Sequence, residues 1–167
     1  PHTHKKFIFL PLQFINSINS NMSILDNEYV INTLIHEKIH VLQRLYSKKF
    51  EQLYKLWNLK QVNNIRNIDK LNNLVRDNPD GQSKNWVFEY NNKIIWFNCI
   101  FNSTNINNIS QVKNVGILLK KQANEYIMIS KPINLMNIYE FKHFFGDLNG
   151  NFYHPNELSA EIGADYL

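Results

Sequence analysis

The stretch Thr33-Leu34-Ile35-His36-Glu37-Lys38-Ile39-His40-Val41-Leu42 lies in the most regular helical pattern of the chain, and its reading decides the rest. Val30, Ile31, Leu34, Ile35, Ile39, Leu42 and Leu45 recur at helical spacing from Glu28 to Leu45, the stripe expected of an amphipathic helix. Asp26 stands where it can cap a start near Asn27. His36 and His40 are one turn apart, so their imidazoles share a helix face with Cβ atoms roughly 5–6 Å apart. Two rings so placed can converge on one tetrahedral Zn²⁺, each bond about 2.0–2.1 Å long. Glu37 is rotated off the histidine row, so it can approach a metal-bound water without displacing a ligand. As general base it would take the proton of that water and later pass it to a leaving amine. The competing reading is a solvated face that happens to carry two His and a Glu. The apolar flanks argue against it, because they bury the helix, and buried His and Glu need partners.

A catalytic zinc site keeps three protein ligands and one open position. The last helical segment, Pro155 to Tyr166, opens with a proline at its first turn, where a missing N–H costs nothing. It offers Glu157 and Glu161 on one face. One carboxylate can ligate the metal, and the other can hydrogen-bond the free nitrogen of a ligating histidine and fix its tautomer. Glu161 and Asp165 offer the same spacing one turn later, so spacing alone leaves the register open. Acidic residues in a first turn are also favoured by the helix dipole with no metal involved.

With these residues in view, the sequence resembles the gluzincins, the thermolysin-like branch of HExxH metallopeptidases. Glu157-x-x-Ala160-Glu161 is similar to the Glu-x-x-Ala-Asp signature of several gluzincin groups, with Glu where Asp is commoner. Thr33 to His40, Asn78-Pro79-Asp80 and His154-Pro155-Asn156-Glu157 together are similar to minimal gluzincins of bacteria and large DNA viruses. The likeness covers roughly residues 26–57 and 150–167, with the Asn-Pro-Asp turn alone between them. It implies one Zn²⁺ held by His36, His40 and Glu157, with Glu161 supporting a histidine. It also implies an α+β, zincin-like fold: a small twisted, mostly antiparallel sheet packed on the HExxH helix, and a helical remainder ending in the glutamate helix. The activity implied is zinc-dependent hydrolysis of a peptide or protein substrate bound along a sheet edge. The alternative is a catalytically inactive, zinc-stabilised protein-interaction domain.

A peptidase needs an oxyanion donor beyond the metal. Tyr153 and His154, next to the ligand helix, are the nearest candidates, and Tyr139 and His143 are the others. Tyr153 is taken as the catalytic donor. His154 is taken as a residue supporting the ligands, and it can also cap the last helix. Asp80 can brace the cleft, while His2 and His4 are read as part of a frayed terminus.

The remaining pattern is mixed. Lys5 to Ile15 reads as a buried strand, or two short ones around Pro11, followed by a polar loop to Ser23. Lys48 to Trp57 reads as a second helix, with Phe50, Leu53, Tyr54 and Trp57 on one face. Ile65 to Val75 is a weaker helical candidate. Asn78-Pro79-Asp80-Gly81 has the residues of a turn. Trp86–Tyr90 and Lys93–Phe101 are strand-like, and Asn91-Asn92 suits a tight hairpin because Asn tolerates positive φ. After an Asn/Ser loop, Val115–Lys120 and Glu125–Ser130 form a second expected hairpin. Leu135 to Phe145 is expected to be helical, and Gly146 to Tyr153 a loop.

Composition narrows the class. The 167 residues fit one domain, 1–167, and that length buries about two thirds of the unfolded surface without help from a metal. Charged residues are only 19 %, so the surface relies on 27 Asn, and with 20 Ile this reads as coding bias rather than a binding signal. A net charge of +4 spread along the chain lacks the clustered cations of a nucleic-acid surface. No apolar run approaches the roughly 18 residues that span a bilayer, and no signal-peptide pattern is seen. Cys99 is alone among apolar neighbours, which fits a reducing compartment. The expectation is a cytoplasmic or otherwise intracellular protein. It begins at Pro1, so processing or trimming is allowed for.

Overall fold

The computed structural model describes residues 1–19, 24–68, 71, 73–75, 85–101, 112–148, 150 and 152–166. It is a mixed α+β arrangement, with a seven-stranded sheet, a separate N-terminal hairpin and five helices among the described residues. The Asn78–Gly81 turn, Asp80 included, and the Asn/Ser loop at 102–111 lie outside the described residues.

The N-terminal segment departs from expectation. β1 (His2–His4) and β2 (Phe7–Phe9) pair antiparallel, with Lys5 at φ 54° in the turn. The extended run stops there. Pro11 opens a helix, α1 (Leu12–Asn19), and its carbonyl accepts the N–H groups of Phe14 and Ile15. Proline has its φ preset for a first turn, which is why the apolar run cannot continue as a strand to Ile15. Phe7 and Phe9 are exposed rather than buried. His2 and His4 are not frayed: the strand between them is anchored at the buried Thr3, whose carbonyl accepts from the Arg44 guanidinium at 3.4 Å.

The motif helix α2 runs from Ile24 to Leu45, so it starts before Asp26 rather than after it. α3 (Ser47–Leu56) follows at once and buries Tyr54. β3 (Leu59–Gln61), absent from the sequence reading, comes next, then the two-residue β4 (Ile65–Arg66). The expected helix over 65–75 does not form as one element. Asn67 adopts φ 68°, a left-handed turn that breaks any helix at its start, and only short turns around Leu71 remain. Ile68 and Val75 are still buried, so the periodicity reported burial correctly and conformation wrongly.

β5 (Trp86–Tyr90), β6 (Lys93–Phe101), β7 (Val112–Gln122) and β8 (Glu125–Met128) form an antiparallel meander. The full order is β3-β5-β6-β7-β8-β4, with β9 (Ile133–Asn134) against β7, and only β4–β8 is parallel. Asn91 and Asn92 take φ 48° and 60°, as a two-residue hairpin of matching twist requires. Alternation sorts the side chains. Phe88, Ile95 and Phe97 face one side and pack with Tyr54, Phe141, Phe152 and Leu158. Val87, Trp96, Ile117 and Leu119 face the other, with Val62, Ile68 and Tyr126. The 135–145 segment divides into a 3-10 turn (Leu135–Asn137), an extended Ile138, and α4 (Tyr139–Phe145). The last helix, α5, spans Pro155–Tyr166 as expected.

The packing of α2 corrects one expectation. Its main partner is α5, with the N-terminal hairpin and α3 beside it; the sheet packs chiefly on α3, α4 and α5. The reason lies in the buried face of α2, which carries Glu37, His40 and Gln43. Those groups need polar partners. The inward sheet face offers only Phe and Ile, whereas α5 offers Glu157, Ser159 and its own N-terminal backbone. No helix among the described residues is long and apolar enough to cross a membrane.

Candidate metal centre

Small residues let α5 approach α2. Ala160 and Ala164 are buried, and a Cβ on Gly163 would come within 2.5 Å of Ile39 Cδ1. At this separation the third residue of α5, Glu157, reaches the histidine row. His36 Nε2 lies 3.0 Å from His40 Nε2. Glu157 Oε2 lies 3.4 Å from His36 Nε2, and Glu157 Oε1 lies 3.4 Å from His40 Nε2. Zinc bonds of about 2.0–2.1 Å in tetrahedral geometry put neighbouring ligand atoms roughly 3.3–3.4 Å apart. The three edges observed bracket that value. Among the described residues, His36, His40 and Glu157 are the group whose donor atoms cluster in this way, all within 4.8 Å of one another.

Glu161, one turn after Glu157, places Oε2 3.8 Å from His36 Nδ1, on the far side of the ring from the cluster. The structure therefore separates the two carboxylates as the resemblance implied: Glu157 at the Nε2 atoms, Glu161 behind His36. Gly150 sits against Glu161, where a Cβ would come within 2.5 Å of Oε1, at a φ of +124° that suits glycine. Side-chain exposure is 15 % for His36 and 20 % for Glu161, against 2 % for His40 and 4 % for Glu157, so the cluster opens to solvent on the His36–Glu161 side.

The electrostatics match a site that attracts cations. Burial alone would lower the His36 pKa, but the hydrogen bond and charge of Glu157, with the charges of Glu161 and Glu37, outweigh it and hold the pKa above its ordinary value. Glu37 is itself buried. Glu37 thus acts electrostatically on the cluster from its own helix face, without being one of the three clustered donors.

A second layer escaped the sequence reading. His40 Nδ1 lies 2.9 Å from Gln43 Oε1. The Gln43 amide donates to the Asn156 carbonyl at 2.7 Å and to Ser159 Oγ at 2.9 Å. The Tyr54 hydroxyl donates to Asn156 Oδ1 at 2.8 Å and lies 3.2 Å from Ser159 Oγ. Burial pushes the Tyr54 pKa well above that of a free phenol, so it stays a neutral donor. Gln43 was findable in principle: it lies three residues after His40, hence on the same face.

The remaining candidates separate. His154 is the N-cap of α5, its Nδ1 accepting the Asn156 N–H at 3.1 Å, and its ring meets Trp86 edge-on. It supports Glu157 by starting the helix that carries it. Tyr153 is buried in the segment that enters α5. Tyr139 and His143 stack on one another, and His143 lies against Tyr90. Trp86, which meets His154, is at the opposite end of β5, and four residues of strand span about 13 Å. Those two side chains are therefore not brought to the cluster.

Comparison with protein-family models, with curated proteins and with solved structures returns no match.

Proposed function

We propose that this chain is a zinc metallopeptidase of the gluzincin type, built on a zincin-like fold. The observation that carries the reading is the convergence of both Nε2 atoms and both Glu157 oxygens at 3.0–3.4 Å, on an HExxH helix beside a buried Glu37. A zinc ion held by His36, His40 and Glu157 would supply a Lewis acid that acidifies water and polarises the scissile carbonyl. Glu37 accepts the proton of the attacking water as its oxygen bonds to the carbonyl carbon. The same carboxyl then gives that proton to the amide nitrogen as the C–N bond breaks, leaving a carboxylate and an amine. Glu161 orients the His36 ring. Tyr153, the phenol nearest Glu157 in sequence, is the candidate donor to the developing oxyanion.

The test is hydrolysis of a mixed peptide library by metal-free and zinc-loaded protein, read by mass spectrometry. Zinc-dependent cleavage that Glu37→Gln abolishes supports the reading, whereas full turnover by Glu37→Gln overturns it. A second reading is a catalytically silent domain in which the metal clamps α2 to α5, with the free surface binding a protein. Burial of His40 and Glu157 favours it, and zinc binding without any cleavage would select it.

A further inference from the structure

We propose that Gln43 is the positioning residue that fixes His40 as an Nε2 donor, tying the tautomer of one metal ligand to the docking of the helix that supplies another. The inference rests on the metal-site reading above and deepens it.

The argument begins at the Asn156 carbonyl. A carbonyl oxygen only accepts, so the Gln43 atom 2.7 Å from it must be the NH₂ group. Its second N–H goes to Ser159 Oγ at 2.9 Å. Both donors of the amide are thus committed to α5, and a flipped amide would set two oxygens against each other at 2.7 Å. The orientation, normally ambiguous for glutamine, is settled by these partners. Oε1 therefore faces His40 Nδ1 at 2.9 Å, and because it can only accept, Nδ1 must carry the hydrogen. In the neutral ring this leaves the lone pair on Nε2, the atom that faces His36 and Glu157. All of this is buried: Gln43, His40 and Ser159 are each no more than 5 % exposed, so water cannot readily replace the amide.

The experiment compares wild type with Gln43→Met, which keeps the volume and loses the amide, and with Tyr54→Phe. The latter removes a hydroxyl from the same buried network without touching His40, and so controls for loosening alone. Two quantities are read: the His40 tautomer, by long-range ¹H–¹⁵N correlation in metal-free protein above the imidazole pKa, and the zinc dissociation constant by competition with a chelator. Wild type and Tyr54→Phe are expected to hold His40 as Nδ1–H and to bind zinc within about threefold of each other. Gln43→Met is expected to show mixed tautomers and to bind zinc about 10–100-fold more weakly.

A wild-type His40 protonated at Nε2 overturns the proposal, and this needs no variant to fold. So does Gln43→Met with unchanged tautomer and affinity. Failure of wild type to bind zinc would sink the metal-site reading alone, because the tautomer arm still reports on Gln43.

Discussion

His36 Nε2 and His40 Nε2 face each other at 3.0 Å, with a Glu157 oxygen 3.4 Å from each. Two neutral imidazoles presenting bare lone pairs at that distance repel, and a carboxylate beside them adds to the repulsion. The arrangement is stable only with positive charge among the four atoms, as a proton or as a metal ion. Without metal, the proton held by His36 above its ordinary pKa plays that part.

Zinc should therefore stabilise the fold, because it binds atoms that meet only when α2 and α5 are docked. At a free concentration of about 1,000 times its dissociation constant it adds roughly 4 kcal/mol. Thermal melts with zinc and with chelator should differ accordingly. His40→Ala and Glu157→Ala should abolish the difference; a zinc-dependent shift that survives both changes would place the ion elsewhere.

The pH dependence has a defined sign. The His36 pKa is raised in the folded, metal-free protein. Its contribution to metal-free stability is thus complete below about pH 6.5, the unfolded value, and is lost as pH rises through the folded pKa. Zinc must displace the same proton, so its affinity falls as pH drops through that pKa. The zinc-induced gain in melting temperature should grow from about pH 6 to pH 8. A gain that shrinks over this range would contradict the assignment.

Glu37→Gln should retain zinc, since the three clustered donors do not include Glu37. It should lose about 10²–10⁴-fold in kcat, the usual contribution of a positioned general base. Tyr153→Phe should cost about 10²–10³-fold in kcat, with smaller change in KM, if the phenol stabilises the oxyanion.

Gly150→Ala tests the support behind His36. The added methyl would press on Glu161 Oε1 at a backbone φ of +124°, a conformation that costs of order 1–3 kcal/mol outside glycine. Zinc affinity should weaken, and Glu161→Gln, which removes the charge without adding bulk, should weaken it in the same direction by less. Calorimetric titration of both variants checks this. Unchanged affinity in both would mean that Glu161 does not steady His36.

The local parts of this site were legible in the sequence because their geometry is local. A four-residue offset on a regular helix places His36 beside His40 whatever the rest of the chain does, and Asn91-Asn92 and Pro155 act through their own backbone angles. The choice between Glu157 and Glu161 was not readable from spacing, since it depends on the rotation of α5 against α2. That rotation is set by contacts such as Gly163 with Ile39 and by hydrogen bonds from Gln43. Gln43 itself was missed because its partners are 113 and 116 residues away. Pro11 and Asn67 misled for a different reason. Each sits in an apolar pattern that reports burial, while its backbone preference ends one element and begins another.

The central claim is most directly tested by anomalous scattering at the zinc edge from crystals grown with zinc. The account predicts a single strong peak within about 2.3 Å of His36 Nε2, His40 Nε2 and a Glu157 oxygen, with Glu161 behind His36. A peak held by other residues, or none at these atoms under saturating zinc, would contradict it.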